Sequence, residues 1–232
     1  MSSYNLILLD ADGTLFDYDK AEESAFKKAL NHYGYNGDMT APHERYRIIN
    51  SSLWSELEKG TISKRELRFE RFRRLFDEFG LNYDVTPFSA YYLEKLGEGA
   101  FLIDGAEELC RQLSRIHKLV ILTNGMTEVQ LSRLERSSLK EYIHDIVISE
   151  EVGINKPDRG IFQYALDKVN HETLEDVLMV GDSLSSDIQG GINFGIDTCW
   201  FNPAGGENCS GLAPSYEIGA LEELSSILRE KE

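Results

Sequence analysis

Three short apolar runs, each ending in a polar residue or a glycine, constrain this chain more than any other feature. They are Tyr4 to Leu9, ending at Asp10; Leu119-Val120-Ile121-Leu122, ending in Thr123-Asn124-Gly125; and Val177-Leu178-Met179-Val180, ending in Gly181-Asp182. A run that is apolar at successive positions is buried on both faces, the signature of a central strand in a parallel sheet. Weaker runs of the same kind are Ile146-Val147-Ile148 and Thr198-Cys199-Trp200-Phe201. Between them lie segments of helical periodicity, at about 105–116, 127–136, 159–169, 184–194 and 220–229, with Asp104 and Met126-Thr127 where helix N-caps are expected. Strands alternating with helices predict an α/β fold: a doubly wound, mostly parallel sheet covered on both sides.

Residues 17–96 break this rhythm. They hold no good strand, and their apolar residues fall at helical spacing, with Phe69, Phe72, Phe76 and Phe79 as one stripe and Arg71, Arg74 and Glu78 opposite. The stripe reads as core packing. At 232 residues the chain exceeds one domain of roughly 150 residues. The expected organisation is therefore a core of residues 1–16 and 97–232, interrupted by an α-helical insert over 17–96. The stretch from Asn202 to Pro214 reads as a surface loop.

Charge narrows the function. Forty acidic residues against 24 basic ones leave a net charge of −16, which repels polymeric nucleic acid and anionic lipid over most of the surface. A few local charges can still admit one small phosphate. Cys110, Cys199 and Cys209 form no CxxC pair, so neither a zinc ribbon nor a disulfide framework is indicated. Leu6-Ile7-Leu8-Leu9 is too short for a signal-peptide core or a membrane span, and the reading is a cytoplasmic protein with free thiols.

In an open α/β sheet, ligands bind at the carboxyl ends of the strands. This chain places there Asp10 and Asp12 (in Asp10-Ala11-Asp12-Gly13-Thr14), Thr123 and Asn124, Lys156 before Pro157, and Asp182 with Asp187 five residues on. Each alone has an ordinary explanation as a turn, a cap or a solvated lysine. Together, four carboxylates at one place repel one another unless a cation is present, and a hard divalent ion such as Mg²⁺ fits oxygen ligands. Thr123, a backbone N–H near Asn124, and the Lys156 ammonium supply donors and charge for a phosphate.

These four segments, in this order, resemble the four motifs of the haloacid dehalogenase-like (HAD) superfamily, and the helical insert resembles its C1 type of cap. The resemblance implies that Asp10 is the nucleophile of an aspartyl-phosphate mechanism and Asp12 the general acid and base. It also implies Mg²⁺ held by Asp10, Asp182 and the Asp12 backbone carbonyl, with Asp187 holding a metal-bound water or Lys156. Asn50-Ser51-Ser52-Leu53-Trp54, Glu58-Lys59-Gly60-Thr61-Ile62 and Arg71-Phe72, with Gly181-Asp182-Ser183-Leu184-Ser185-Ser186-Asp187 and Cys199-Trp200-Phe201-Asn202-Pro203, are similar to the YjjG-type pyrimidine 5′-nucleotidases. That similarity implies a phosphomonoesterase acting on nucleoside 5′-monophosphates, with the cap opening and closing over the strand ends.

Phe16 and Trp54 are candidates for stacking on a base, and Arg71 either holds a phosphate or pairs with a glutamate on a neighbouring helix. Alternatives are a phosphoglycolate or sugar-phosphate phosphatase with the same machinery, and a non-catalytic binding or regulatory protein on this fold. Dehalogenation is disfavoured, because enzymes of that kind lack the second aspartate. Monomer and homodimer are equally compatible with the sequence.

Overall fold

The computed structural model of the protein describes residues 4–229. In chain order the elements are β1 (Leu6–Leu9), α1 (Tyr18–His32), α2 (Thr40–Glu58), α3 (Lys64–Phe79), α4 (Val85–Glu98), α5 (Ala106–Leu113), β2 (Lys118–Thr123), α6 (Thr127–Arg136), β3 (Asp145–Ile148), α7 (Ser149–Val152), α8 (Arg159–Lys168), β4 (Val177–Gly181), α9 (Gln189–Phe194), β5 (Asp197–Phe201), β6 (Tyr216–Ile218) and α10 (Leu221–Arg229). The chain divides into two compact units. One takes the residues up to Tyr18 and from Ala100 onward; the other is Asp19–Gly99.

The first unit holds a six-stranded sheet in the order β3-β2-β1-β4-β5-β6, parallel throughout. Alternate residues of each strand serve opposite faces. Ile7, Leu9, Ile121 and Val180 pack with Leu109, Leu113 and Leu224 on one side; Leu8, Leu122 and Met179 pack with Ile161, Phe162 and Ala165 on the other. Two covered faces explain why the strands are apolar at consecutive positions. In the shared register Leu9 lies beside Ile121 and Val180, so β1, β2 and β4 end within two residues of one another at the same edge.

The sheet differs from the sequence reading at its rim. Strand β6 was not expected, because Tyr216-Glu217-Ile218 is three residues long at the sheet's edge and is bordered by the loop. The helix expected over 184–194 is divided: Leu184–Ile188 is a π-helical turn, and α9 follows it. The Ile188 N–H reaches back five residues to the Ser183 carbonyl (3.2 Å), which widens that turn. Asp104 is not the cap of α5: Gly105 takes that position in the left-handed region (φ 83°). Met126 does cap α6, without a side-chain bond, and the Thr127 N–H donates to Glu150 Oε2 (2.7 Å) instead.

The second unit is four helices. Helix α3 opens on a capping box of Ser63 and Glu66 and stops at Gly80 in the left-handed region (φ 61°). Helix α4 runs past the expected limit of residue 96 to Glu98, because Gly97 is buried within it instead of ending it. Phe72 and Phe76 are buried among Tyr46, Phe88 and Tyr92, with ring centroids of Phe72 at 5.4, 4.9 and 5.0 Å from those of Tyr46, Phe88 and Tyr92. Phe69 and Phe79 are only half-buried. The inward face of α3 is centred on Leu67, Arg71, Phe72, Leu75 and Phe76, a rotation from the expected stripe that takes Arg71 inside.

Cys110 and Cys199 are buried and Cys209 exposed, all as free thiols. Among the described residues no helix is long and apolar enough to cross a membrane.

Candidate active site

The carboxyl ends of β1, β2 and β4 converge on a buried lysine. Asp10 follows β1 directly, and its N–H donates to the Val180 carbonyl (2.9 Å), which ties the residue to β4. Lys156, 1% exposed, donates to Asp10 Oδ1 at 2.5 Å and to the Leu122 carbonyl at 2.6 Å, and its Nζ lies 2.7 Å from Asp187 Oδ1. An ammonium has three donors, and each has a partner here. Burial opposes the Lys156 charge, but Asp10 and Asp187 outweigh it and hold the ammonium well above the usual lysine range.

Asn124 fixes the lysine's backbone. Its Oδ1 accepts from the Lys156 N–H (2.8 Å) and its Nδ2 donates to the Lys156 carbonyl (2.9 Å). Thr123, 1% exposed, accepts from the Gly125 N–H through Oγ1 (3.0 Å), which leaves its own O–H as a donor.

Asp10, Asp182 and Asp187 present carboxylate oxygens within 4.8 Å of one another. Two glycines make this approach possible. A Cβ at Gly13, whose φ is +84°, would lie 2.5 Å from Asp182 Oδ2, and one at Gly181 would lie 2.2 Å from Asp187 Oδ2. Burial pushes the Asp10 carboxyl well above the usual range; Lys156 pulls it back, and Asp187 and Asp182 add to the rise. Asp182 is raised by the protein packed about it and then by the Asp187 charge. It is the solvent-exposed member of the three, so water tempers both causes. Three carboxylates against one ammonium leave an excess of negative charge, a donor set that fits a hard divalent cation with oxygen ligands.

Asp12 stands apart from that trio. Gln130 Nε2 donates to its Oδ2 (2.6 Å), and Arg133 Nη1 pairs with its Oδ1. Neither partner was singled out in the sequence: a Gln and an Arg three apart on a helix rich in charged residues read as a solvated face. Only their placement on the first turns after Thr123-Asn124-Gly125 could have drawn attention to them.

Phe16 requires correction. Its backbone bridges to Asp12 and Leu102, which turns the ring inward; at 1% exposure it belongs to the hydrophobic core and offers no face to a base. In the helical unit, Trp54 is half-buried on α2. Arg71, placed outward by the sequence reading, is 1% exposed: its Nη1 donates to Asn50 Oδ1 (3.4 Å), and its guanidinium carbon sits 5.1 and 4.9 Å from the ring centroids of Phe72 and Tyr92.

The family model for haloacid dehalogenase-like hydrolases matches residues 4–195. The pyrimidine 5′-nucleotidase PynA of Streptococcus pneumoniae is 38% identical over 226 residues, covering 97% of this chain and 95% of that protein. The pyrimidine 5′-nucleotidase YjjG of Escherichia coli is 34% identical, covering 97% and 98%. Among solved structures, YfnB from Bacillus subtilis bound to magnesium superposes with a TM-score of 0.92 at 36% identity, covering 98% of this chain and 99% of that one. The order of the motifs, the sheet that carries them and these full-length likenesses agree: the chain belongs to the haloacid dehalogenase-like hydrolase family.

Proposed function

We propose that the protein is a Mg²⁺-dependent phosphomonoesterase that hydrolyses nucleoside 5′-monophosphates, pyrimidine nucleotides foremost. The observation that carries the chemistry is the buried Lys156 bracketed by Asp10 and Asp187, with Asp182 beside them. The names of the relatives PynA and YjjG support the substrate class.

In this reading Asp10 attacks the phosphorus through a carboxylate oxygen, and the bond to the nucleoside's 5′ oxygen breaks. Asp12 protonates that departing oxygen, so the nucleoside leaves as an alcohol and Asp10 carries an acyl phosphate. Asp12, now ionised, takes a proton from water, whose oxygen attacks the phosphorus; inorganic phosphate departs and the Asp10 carboxylate is regenerated. Thr123 and an N–H near Asn124 donate to the phosphate oxygens, and Lys156 supplies positive charge. Asp10, Asp182 and the Asp12 carbonyl are the groups that would hold Mg²⁺. When bound, the ion neutralises charge shared by the phosphate and the carboxylates. Asp187, held against Lys156, keeps that ammonium in place.

The helical insert has the role of a cap that governs substrate choice, and the half-exposed Trp54 is its candidate for base contact; Arg71, buried against Phe72 and Tyr92, belongs to the insert's core. The protein's partners are thus small phosphomonoesters, with polymeric nucleic acid and membranes outside its reach.

The test is a panel of phosphomonoesters assayed with Mg²⁺ and again with excess chelator. Pyrimidine nucleoside monophosphates should give the highest kcat/KM, and chelation should remove the activity. Phosphoglycolate or sugar phosphates outperforming nucleotides would replace the substrate assignment, and activity persisting under chelation would overturn the metal.

A further inference from the structure

Asp12 is held by two side chains of one helix. Gln130 and Arg133 lie three residues apart on α6 and so share a face. They take separate oxygens of the carboxylate, Gln130 Nε2 reaching Oδ2 at 2.6 Å and Arg133 Nη1 pairing with Oδ1. Both are fully buried, at 1% and 0% exposure, whereas the Asp12 side chain keeps 28% of its surface. Burying a guanidinium costs several kcal/mol unless a carboxylate answers it. Its partner here is the part-exposed Asp12, not one of the trio around Lys156.

Room for the arrangement comes from the second strand's own turn. A Cβ on Gly125 would lie 2.2 Å from Gln130 Nε2, so the glycine that closes Thr123-Asn124-Gly125 is also what lets Gln130 reach Asp12. The guanidinium carbon of Arg133 sits 5.7 Å from the ring centroid of Tyr18, a second contact that fixes the head group.

We propose that Gln130 and Arg133 are the positioning residues of the acid–base carboxylate. An aspartate side chain with 28% of its surface exposed would otherwise be free to turn toward bulk water. Two donors on two oxygens fix both the direction and the plane of the carboxylate. Each oxygen retains a further acceptor site, because an ionised carboxylate offers about four. One free site serves the proton that goes to the leaving oxygen and later comes from water. The inference rests on the acid–base role given to Asp12 above.

Leaving-group dependence separates positioning from mere support. A nucleoside's 5′ oxygen needs a proton to depart; the 4-nitrophenolate of 4-nitrophenyl phosphate does not. We would measure kcat and KM on uridine 5′-monophosphate and on 4-nitrophenyl phosphate for Asp12→Asn, Arg133→Met, Arg133→Lys and Gln130→Met. Asp12→Asn should lose roughly 10²–10⁴-fold on the nucleotide and markedly less on the aryl ester. Arg133→Met and Gln130→Met should show the same bias at smaller size, about tenfold more loss of kcat on the nucleotide, with KM little changed. Arg133→Lys should recover part of it.

Gln130→Met removes no charge, so it carries the test if Arg133→Met does not fold. Equal losses on both esters in the Gln130 and Arg133 variants, with Asp12→Asn biased, would overturn the positioning role alone. An unbiased Asp12→Asn would overturn the acid role and the positioning proposal with it.

Discussion

The two units bury charge in opposite ways. In the sheet unit, buried cations meet carboxylates at or just beyond the ends of strands, where side chains of different segments come together: Lys156 with Asp10 and Asp187, and Arg133, reaching in from α6, with Asp12. In the helical unit buried ionic groups are carried by the helices themselves, beside aromatic rings. Glu22 of α1 contacts His43 of α2 (3.0 Å), and Arg71 of α3 lies against Phe72 and Tyr92. A parallel sheet packs its own centre with aliphatic side chains and leaves its edge for chemistry. A four-helix unit has no such edge, so any polar group it uses inside must be matched there, at a cost in stability.

The largest expected effect tests the sheet unit. Asp10→Asn should lower kcat by at least about 10⁴-fold in steady-state assays, as loss of a nucleophile does. Melting temperature should move by only a few degrees, since Lys156 keeps Asp187 and the Leu122 carbonyl. Full activity in that variant would refute the aspartyl-phosphate mechanism. Next comes the helical unit's packing: Phe72→Ala should cost about 3–5 kcal/mol in urea unfolding, because a fully buried ring leaves a cavity among four aromatic neighbours. A loss below about 1 kcal/mol would mean that the aromatic cluster is not what holds the helices together.

The smallest effect tests the helical unit's buried charge. Burial pushes Glu22 up to about 8, against the pull of Arg47, while the unfolded chain releases that proton near the ordinary value of 4.5. Between those pH values the native state binds more protons than the unfolded state, so stability falls as pH rises through this window. Glu22→Gln should abolish that fall. Its advantage over the parent in thermal melts should be absent below pH 4.5, grow as pH rises toward 8, and level off above it. Identical pH profiles for the two proteins would show that Glu22 ionises normally in place.

Much of the fold is legible in the sequence, because a strand buried on both faces has little freedom in composition. β1, β2 and β4 are read within a residue or two, and so is the position of Asp10, Thr123 and Asp182 after them. What escapes reading depends on partners far away in the chain. Gln130 and Arg133 look like any polar pair on a helix until Asp12, more than a hundred residues earlier, is placed beside them. Phe16 looks like an exposed loop aromatic until its backbone bridges to Leu102. Arg71 looks solvated because a charged residue is normally written on the outer face, and nothing local announces the aromatic rings that receive it. The π turn before α9, which contains the buried Asp187, is likewise invisible in the run Leu184-Ser185-Ser186-Asp187-Ile188.

The strand order has a consequence for how the molecule comes into being. β1 is first of the six strands in the chain yet lies at the sheet's interior, between β2, which begins at Lys118, and β4, which begins at Val177. During synthesis its four apolar residues therefore wait, with both edges unpaired, while more than a hundred residues are added on the way to one neighbour and some sixty more to the other. Pairings this distant close slowly, and an open apolar strand invites association meanwhile. A nascent chain that stops short of Val177 has neither the second neighbour of β1 nor Asp182. Its sheet is open at the centre, and the last strand to dock against β1 seals that centre and brings Asp182 to the edge that carries Asp10 in one event.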